Sequence, residues 1–330
     1  MAQFDATATS EQVIEAFASQ IRGRTFVITG AGMPSIGSQM ATSLAKGSPA
    51  HILIASRIGK KVEPVLEKIT EIDSSVKTTF VQVDLSDHDS VKRAATEILA
   101  AAPKIDVLIN SAGNMAINEY TVDKQGIELQ LSANYVGHFL LTNLLMPALL
   151  VAGSGPGGAR IVNLTSSAYL VSPIRFHDWN FSGGKAYNRW IAYGQAKTAN
   201  ILFAFGLTER LKNRGITSTA THPGYNMDTQ LGSHLTFDDY SEIPAIIKRD
   251  TGKEWEWESP RIKSFTQIAA TSLIAALDPE IPAKSPAYLM NSQVGELAEH
   301  AKDPESVEKL WNLSEDLVGQ KFEYSISTQG

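Results

Sequence analysis

Tyr193 and Lys197 stand four residues apart in Tyr193-Gly194-Gln195-Ala196-Lys197, so on a helix they share one face. A phenol ionises near ~10 and needs a neighbouring cation to trade its proton close to neutrality. This pair could exchange a proton with an alcohol or a carbonyl, the ammonium lowering the cost of the phenolate. Upstream, a strand-like run ends in the hydroxyl cluster Thr165-Ser166-Ser167. Near the N-terminus the strand Phe26-Val27-Ile28 enters Thr29-Gly30-Ala31-Gly32-Met33-Pro34-Ser35-Ile36-Gly37 and then a helical pattern. Gly30 allows a tight turn and Gly37 close packing at the helix start, and the free N–H groups of the first helical turn then suit a pyrophosphate. Each part alone is commonly structural: a Tyr–Lys pair on a helix, hydroxyls at a strand end, a glycine turn. Their combination points to hydride transfer with a dinucleotide.

The neighbouring strand ends add to this. The second strand closes on Ala55-Ser56-Arg57, with Lys60 and Lys61 behind it. An acidic residue there would bind a ribose 2′-hydroxyl; Arg57 suits the 2′-phosphate of NADP instead. Asp84-Leu85 ends the third strand, where an adenine would lie, although Asp84 could equally cap the turn into the next helix. Asn110-Ser111-Ala112-Gly113 ends the fourth, and its small residues would let a cofactor cross the strand tips.

Apolar runs at 25–29, 51–56, 79–84, 107–110, 159–164, 217–222 and, weakly, 287–290 alternate with helical patterns at 36–46, 61–73, 87–102, 128–151, 193–214 and 265–277. Short buried strands alternating with helices predict a single α/β domain with a doubly wound parallel sheet. Three segments are additions. Residues 8–22 form an amphipathic helix beside the first strand, with Ser10 as N-cap. Residues 225–264, aromatic and without clear periodicity, read as a mobile lid over the substrate. Residues 304–330 form a terminal helix, with Val307, Leu310, Trp311 and Leu317 inward, and a tail.

Composition narrows the partners. Hydrophobic residues make up 43% and charged residues 19% of 330, as in a globular chain. The net charge of −6 and the lack of a basic block argue against nucleic acid or an anionic membrane. With 0 cysteines there is no disulfide, thiolate catalysis or Cys-ligated zinc, and His177 and His222 have no partners at metal spacing, so no metal is expected. The polar start lacks the marks of a signal peptide, the apolar run 139–152 is too short to span a bilayer, and Thr328-Gln329-Gly330 matches no address signal. A cytoplasmic protein is expected.

Together these residues resemble the short-chain dehydrogenase/reductase family, from about Arg24 to Tyr288. The resemblance rests on the glycine turn, Asp84, Asn110-Ser111-Ala112-Gly113, Asn134, Ser166, Tyr193, Lys197 and His222-Pro223-Gly224, in that order. The stretch from Trp179-Asn180-Phe181-Ser182-Gly183-Gly184 to Tyr193 is similar to the retinol-dehydrogenase-like branch in its fungal form. The resemblance implies a Rossmann-type fold and a tetrad of Asn134, Ser166, Tyr193 and Lys197. Tyr193 would give the proton to the carbonyl oxygen in reduction, Lys197 would also hold the nicotinamide ribose, and Ser166 would bind the substrate oxygen. Asn134 would hold a water in a relay to Lys197; counting from Asn163 favours Ser166 over Ser167. NADP would contact Gly30, Ser35, Ile36, Gly37, Arg57, Asp84, Leu85, Asn110, Ala112, Gly113, Asn134, Tyr193, Lys197, Pro223, Gly224 and Thr229. A homodimer or homotetramer through the 128–151 and 193–214 helices is implied, unless the added terminal helices cover that surface.

Three departures accompany the resemblance. The turn is one residue longer than the family's, with Ser35 in place of the middle glycine and still able to donate to a phosphate. The gap from Ser166 to Tyr193 is long, as in the retinol-dehydrogenase-like branch, and Thr229 falls one residue late after Pro223-Gly224. Tyr169, Phe176, Trp179, Trp190, Tyr225, Met227, Phe237, Trp255 and Trp257 suit a bulky apolar ketone, aldehyde or alcohol, although Trp179 and Trp190 are also candidates for core packing. The expected activity is an NADP-dependent oxidoreductase; a cofactor-holding isomerase or cyclase and an NADP-responsive regulatory protein are the alternatives, which the intact Tyr193 and Lys197 disfavour.

Overall fold

A computed structural model of the chain describes residues 4–324. The expected tail beyond residue 324 and its final tripeptide lie outside the described residues. Strands β1 (Thr25–Thr29), β2 (His51–Ser56), β3 (Lys77–Gln82), β4 (Val107–Asn110), β5 (Ala159–Leu164), β6 (Ile216–His222), β7 (Ala287–Met290) and β8 (Gln293–Val294) form one sheet in the order β3-β2-β1-β4-β5-β6-β7-β8. The first seven run parallel and β8 pairs antiparallel at the edge. The strand order reverses between β1 and β4, which opens a crevice at their C-terminal ends.

The central strands are apolar on both faces because helices cover both. Val27, Leu53, Leu108 and Ile161 point to one side, against α4 (His88–Ala101), α6 (Gly137–Leu144) and α8 (Arg189–Arg210). Phe26, Ile28, Ile52, Ile54, Ile109 and Val162 point to the other, against α2 (Ile36–Ala45), α3 (Gly59–Ile72) and α10 (Phe265–Leu277). This is the expected doubly wound arrangement.

Several boundaries differ from expectation for local reasons. The third strand lies two residues earlier than 79–84, because after Gln82 the Asp84 N–H turns to Ser90 Oγ at 3.0 Å and leads into α4. The 128–151 helix is broken into α5 (Leu129–Leu131), a π-turn at Ser132–Val136, α6, and α7 (Met146–Gly153), with a bend of 61° before α7. Pro147, which has no N–H to give, sits in the first turn of α7. The α8 helix begins at Arg189, four residues before Tyr193, because Asn188 Oδ1 accepts from the N–H groups of Trp190 and Ile191, each at 3.0 Å. Among the described residues no single helix is long and apolar enough to cross a membrane.

The added segments are also placed. Helix α1 (Ser10–Ala16) is capped by Thr9, not Ser10, through a reciprocal Thr9–Gln12 box. Ser10 is buried instead, accepting from Ser43 Oγ at 3.0 Å, and α1 packs on α2 and α10 rather than beside β1. The 225–264 segment is not irregular throughout: α9 (Glu242–Thr251) buries Ile243, Ile246 and Ile247. Pro244 obscured this helix in the sequence, but a first helical turn tolerates proline.

Helix α11 (Pro304–Val318) lies on α8 and so covers part of the surface expected to make a dimer. Trp311 is the anchor. Its ring centroid is 5.1 Å from that of Phe139 and 6.1 Å from that of Phe203, with the Arg210 guanidinium 3.9 Å above it. Trp311→Ala should therefore cost about 3–5 kcal/mol of stability. Urea unfolding monitored by circular dichroism measures it; a loss under about 1 kcal/mol would mean that α11 is only loosely docked.

Candidate active site

Every motif singled out above lies at or beside the C-terminal edge of the parallel sheet, where two adjoining cavities open. The first is lined by Gly30, Ser35, Ile36, Arg57, Asp84, Leu85, Ala112, Gly113 and Thr229. The second contains Ser166, Tyr193, Lys197, Pro223, Gly224 and Thr229. Ile36, Ser111 and Thr229 line both, so a ligand could run from one into the other. Ser111 was not singled out within its motif; its position between the cavities is a tertiary fact.

The glycines at the first cavity are required by close packing of the strand-end turns. Gly30 has φ +70°, and a Cβ there would sit 2.5 Å from Ala112 Cα. A Cβ on Gly113 would overlap Asn134 Oδ1. Gly37 lines neither cavity; it lets α2 begin against Gly30 and Ala31, where a Cβ would lie 2.9 Å from the Gly30 carbonyl oxygen. These contacts fit a dinucleotide passing over bare backbone.

Ser35 is not the free phosphate donor expected. Its hydroxyl donates to the Gly30 carbonyl at 3.1 Å, its N–H donates to Ser38 Oγ at 3.1 Å, and its oxygen caps α2. The longer turn is thus closed on itself, leaving N–H groups of the first α2 turn, such as those of Ile36 and Gly37, for an anion. Asn110 does not face either cavity: its amide donates to Thr142 Oγ1 at 3.0 Å and Asn163 Oδ1 at 2.9 Å inside the sheet. Asp84 lines the cavity but also accepts from Ser86 N–H and Oγ at 3.0 and 2.6 Å. Arg57 is exposed at the rim, and among the described residues its guanidinium has no ion pair, whereas Lys61 is bonded to Gln230 across the cavity mouth.

The second cavity holds the proton-transfer groups. Helix α8 presents Tyr193 and Lys197, both buried. The Tyr193 hydroxyl is hydrogen-bonded to Ser166, the serine favoured by counting. Lys197 Nζ lies 5.4 Å from the Tyr193 ring centroid and donates to the Leu164 carbonyl at 3.3 Å. Thr165 Oγ1 donates to the Lys197 carbonyl at 2.7 Å, tying α8 to the end of β5. Burial pushes the Lys197 ammonium down to about 8. Burial pushes the Tyr193 phenol up, with the Ser166 bond pulling the other way. The expected lowering of Tyr193 by Lys197 is not seen, and burial holds the phenol protonated. Asn134 sits in the π-turn, and its side chain is spent on Asn114: Oδ1 accepts from Asn114 N–H at 2.8 Å and Nδ2 donates to Asn114 O at 3.0 Å.

The cavity wall is apolar, with Trp190, Tyr225, Leu231, Leu235, Tyr240 and Ile243. Of the apolar residues expected there, Trp190, Tyr225, Met227 and Trp257 line it. Tyr169 packs with Tyr288 in a separate cluster, and Phe176 and Trp179 lean on the core beneath α8. Trp255 packs behind the wall and Phe237 stays exposed. His222, expected to be structural, is buried at the cavity edge, where Nδ1 accepts from Ser167 N–H at 3.2 Å and Nε2 is bonded to Glu258. Nothing in the sequence marks Glu258, which lies 36 residues away. Among the described residues no three His, Asp or Glu side chains converge as a metal site.

The profile of the family described as short chain dehydrogenase matches residues 24–238. The chain belongs to that family. As a short-chain dehydrogenase it is 36% identical to mouse retinol dehydrogenase 12 over 304 residues, covering 92% of this chain and 89% of that protein. It is 35% identical to the oxidoreductase fscI of Fusarium equiseti over 243 residues, or 67% of this chain and 94% of that protein. A solved structure of a putative uncharacterized protein from Mycobacterium paratuberculosis matches with a TM-score of 0.66 at 29% identity, covering 92% of this chain and 96% of the other. The resemblance to the retinol-dehydrogenase-like branch is thereby upheld. Proteins of this family bind a nicotinamide cofactor and act as oxidoreductases.

Proposed function

We propose that this short-chain dehydrogenase is NADP-dependent and interconverts a ketone or aldehyde with an alcohol on a bulky apolar substrate. The observation that carries the reading is the Tyr193 hydroxyl, bonded to Ser166 and close to Lys197, in an apolar cavity that adjoins the glycine-lined one. NADP is favoured over NAD by Arg57, a cation with no ion pair among the described residues, where a 2′-phosphate would lie, with no carboxylate at the end of β2. Gly30, Ile36, Leu85, Ala112 and Gly113 would bed the cofactor, with Pro223, Gly224 and Thr229 beside its reactive end.

When bound, the cofactor supplies or removes the hydride. The chain's own groups handle the proton. Tyr193, protonated in its buried setting, donates to the carbonyl oxygen in reduction and takes the proton back in oxidation. Ser166 shares the Tyr193 hydroxyl bond and holds the same oxygen, so negative charge developing there meets two donors. Lys197 brings a positive charge beside the phenol as it ionises. Asn134 orders the Gly113–Asn114 turn beside Lys197 through its side-chain amide. Trp190, Tyr225 and Tyr240 exclude water from the oxygen and select an apolar body.

Tyr193→Phe should abolish reduction of aromatic ketones by NADPH while leaving NADPH binding intact, as read by fluorescence titration. More than about a tenth of wild-type kcat in that variant would sink the assignment. Arg57→Asp should move the NADPH/NADH preference towards NADH by at least about tenfold, the share of a charge-assisted contact worth about 1.5–3 kcal/mol. An unchanged preference places the discriminating cation elsewhere. A pH profile gives a third check. Lys197 keeps its proton below about 8 and loses it above. For reduction, kcat/KM, which reports the free enzyme, should thus fall as pH rises through about 8, and Lys197→Arg should remove that limb. A flat wild-type profile to about pH 10 would count against a role for the ammonium.

A further inference from the structure

His138 lies one turn beyond Asn134, just after the π-turn, and is 2% exposed. Both ring nitrogens are engaged. Nδ1 is 3.0 Å from the Asn134 backbone oxygen, and Nε2 is 2.8 Å from Thr29 Oγ1. A carbonyl can only accept, so Nδ1 carries the proton. Burial, reinforced by the charge of Lys197, holds the ring at about 4 and therefore neutral. Nε2 must then accept, and the Thr29 hydroxyl donates to it. The Thr29 oxygen in turn accepts from the N–H groups of Ser111 and Ala112, at 2.9 and 3.1 Å. The chain of bonds runs in one direction, from the β4 turn through Thr29 and His138 to the Asn134 carbonyl.

This chain links the β1 end and the β4 turn to Asn134 through one buried imidazole. At one end are the end of β1 and the Ser111–Ala112 turn, which line the glycine cavity. At the other is Asn134, whose side chain is fixed by Asn114 and whose backbone oxygen takes the His138 Nδ1–H. Lys197 is close by: a Cβ built on Gly113 would lie 3.7 Å from Lys197 Nζ and overlap the Asn134 amide oxygen. A leucine would fill the same space without burying two polar nitrogens, so packing alone does not call for an imidazole here.

We propose that His138 is a positioning residue for proton transfer, holding the Asn134 backbone through its Nδ1–H and so fixing the Asn134 amide beside Lys197, with its own tautomer set by Thr29 at the cofactor turn. This rests on the reading of Tyr193 and Lys197 as the proton-transfer pair.

The test uses three variants of the full chain, with NADPH and an aromatic ketone. Asparagine can place an amide N–H where Nδ1 sits, glutamine reaches only the Nε2 position, and leucine supplies neither. His138→Leu and His138→Gln should lower kcat by about tenfold or more, and His138→Asn should stay within about threefold of wild type. The NADPH dissociation constant should change by less than about threefold in all three. Matching far-ultraviolet circular dichroism and thermal midpoints establish that the variants are folded. The proposal is overturned if folded His138→Leu and His138→Gln keep kcat within about twofold of wild type. It is overturned equally if His138→Asn is no better than His138→Leu, or if the loss falls wholly on NADPH binding, which would assign His138 to the cofactor turn. Failure of the parent reading shows differently: Tyr193→Phe would then retain activity, whatever the His138 variants do.

Discussion

The site depends on keeping Lys197 charged where water is scarce. An ammonium taken out of water is costly, and burial has already drawn this one down to about 8. It donates a hydrogen bond to the Leu164 carbonyl at the end of β5, and the Tyr193 ring lies beside it. The Thr165 hydroxyl holds the Lys197 carbonyl, and Asn200, nearly one turn further along α8, donates to the same Leu164 oxygen at 2.8 Å. The charge is tolerable because α8 and β5 cannot slide apart. Such a cation can answer the ionisation of a neighbouring phenol more strongly than one in bulk water could.

That rigidity is supplied from both faces of the sheet. Beneath α8, Phe139, Phe203 and Trp311 form a cluster of tilted and edge-on rings that clamps α8 between α6 and α11. Across the sheet, α1 seals α2 and α10, the helices behind the glycine turn and β6. The terminal helix α11 thus lies on part of the surface where a partner subunit was expected. The 225–264 segment lines the second cavity and is anchored by Lys263 N–H to the Tyr225 carbonyl at 2.7 Å and by the Glu258–His222 bond beside Ser167.

Much was legible in the sequence because its signals are local. The Gly30 turn, the apolar strands, the Tyr193–Lys197 spacing and the order of the strand-end motifs are properties of short windows, and the parallel sheet follows from their alternation. Where local signals compete, the reading slipped. Pro147 and the π-turn broke a helix that periodicity joined, Pro244 hid α9, and Thr9 rather than Ser10 made the cap.

What tertiary structure alone decided is which polar groups are spent and which are left over. Ser35, Asn110 and Asn134 looked alike as small polar residues near a cofactor, yet Ser35 closes its own turn, Asn110 braces the sheet and Asn134 clamps Asn114. His138 gave no sign, because its two partners are a backbone oxygen and a threonine 109 residues away. Glu258 was silent for the same reason. Sequence determines where hydroxyls, amides and imidazoles occur and which element carries them. Whether each donor is free for chemistry depends on acceptors brought within hydrogen-bond reach by the folded sheet, and burial then decides the charge that each group holds.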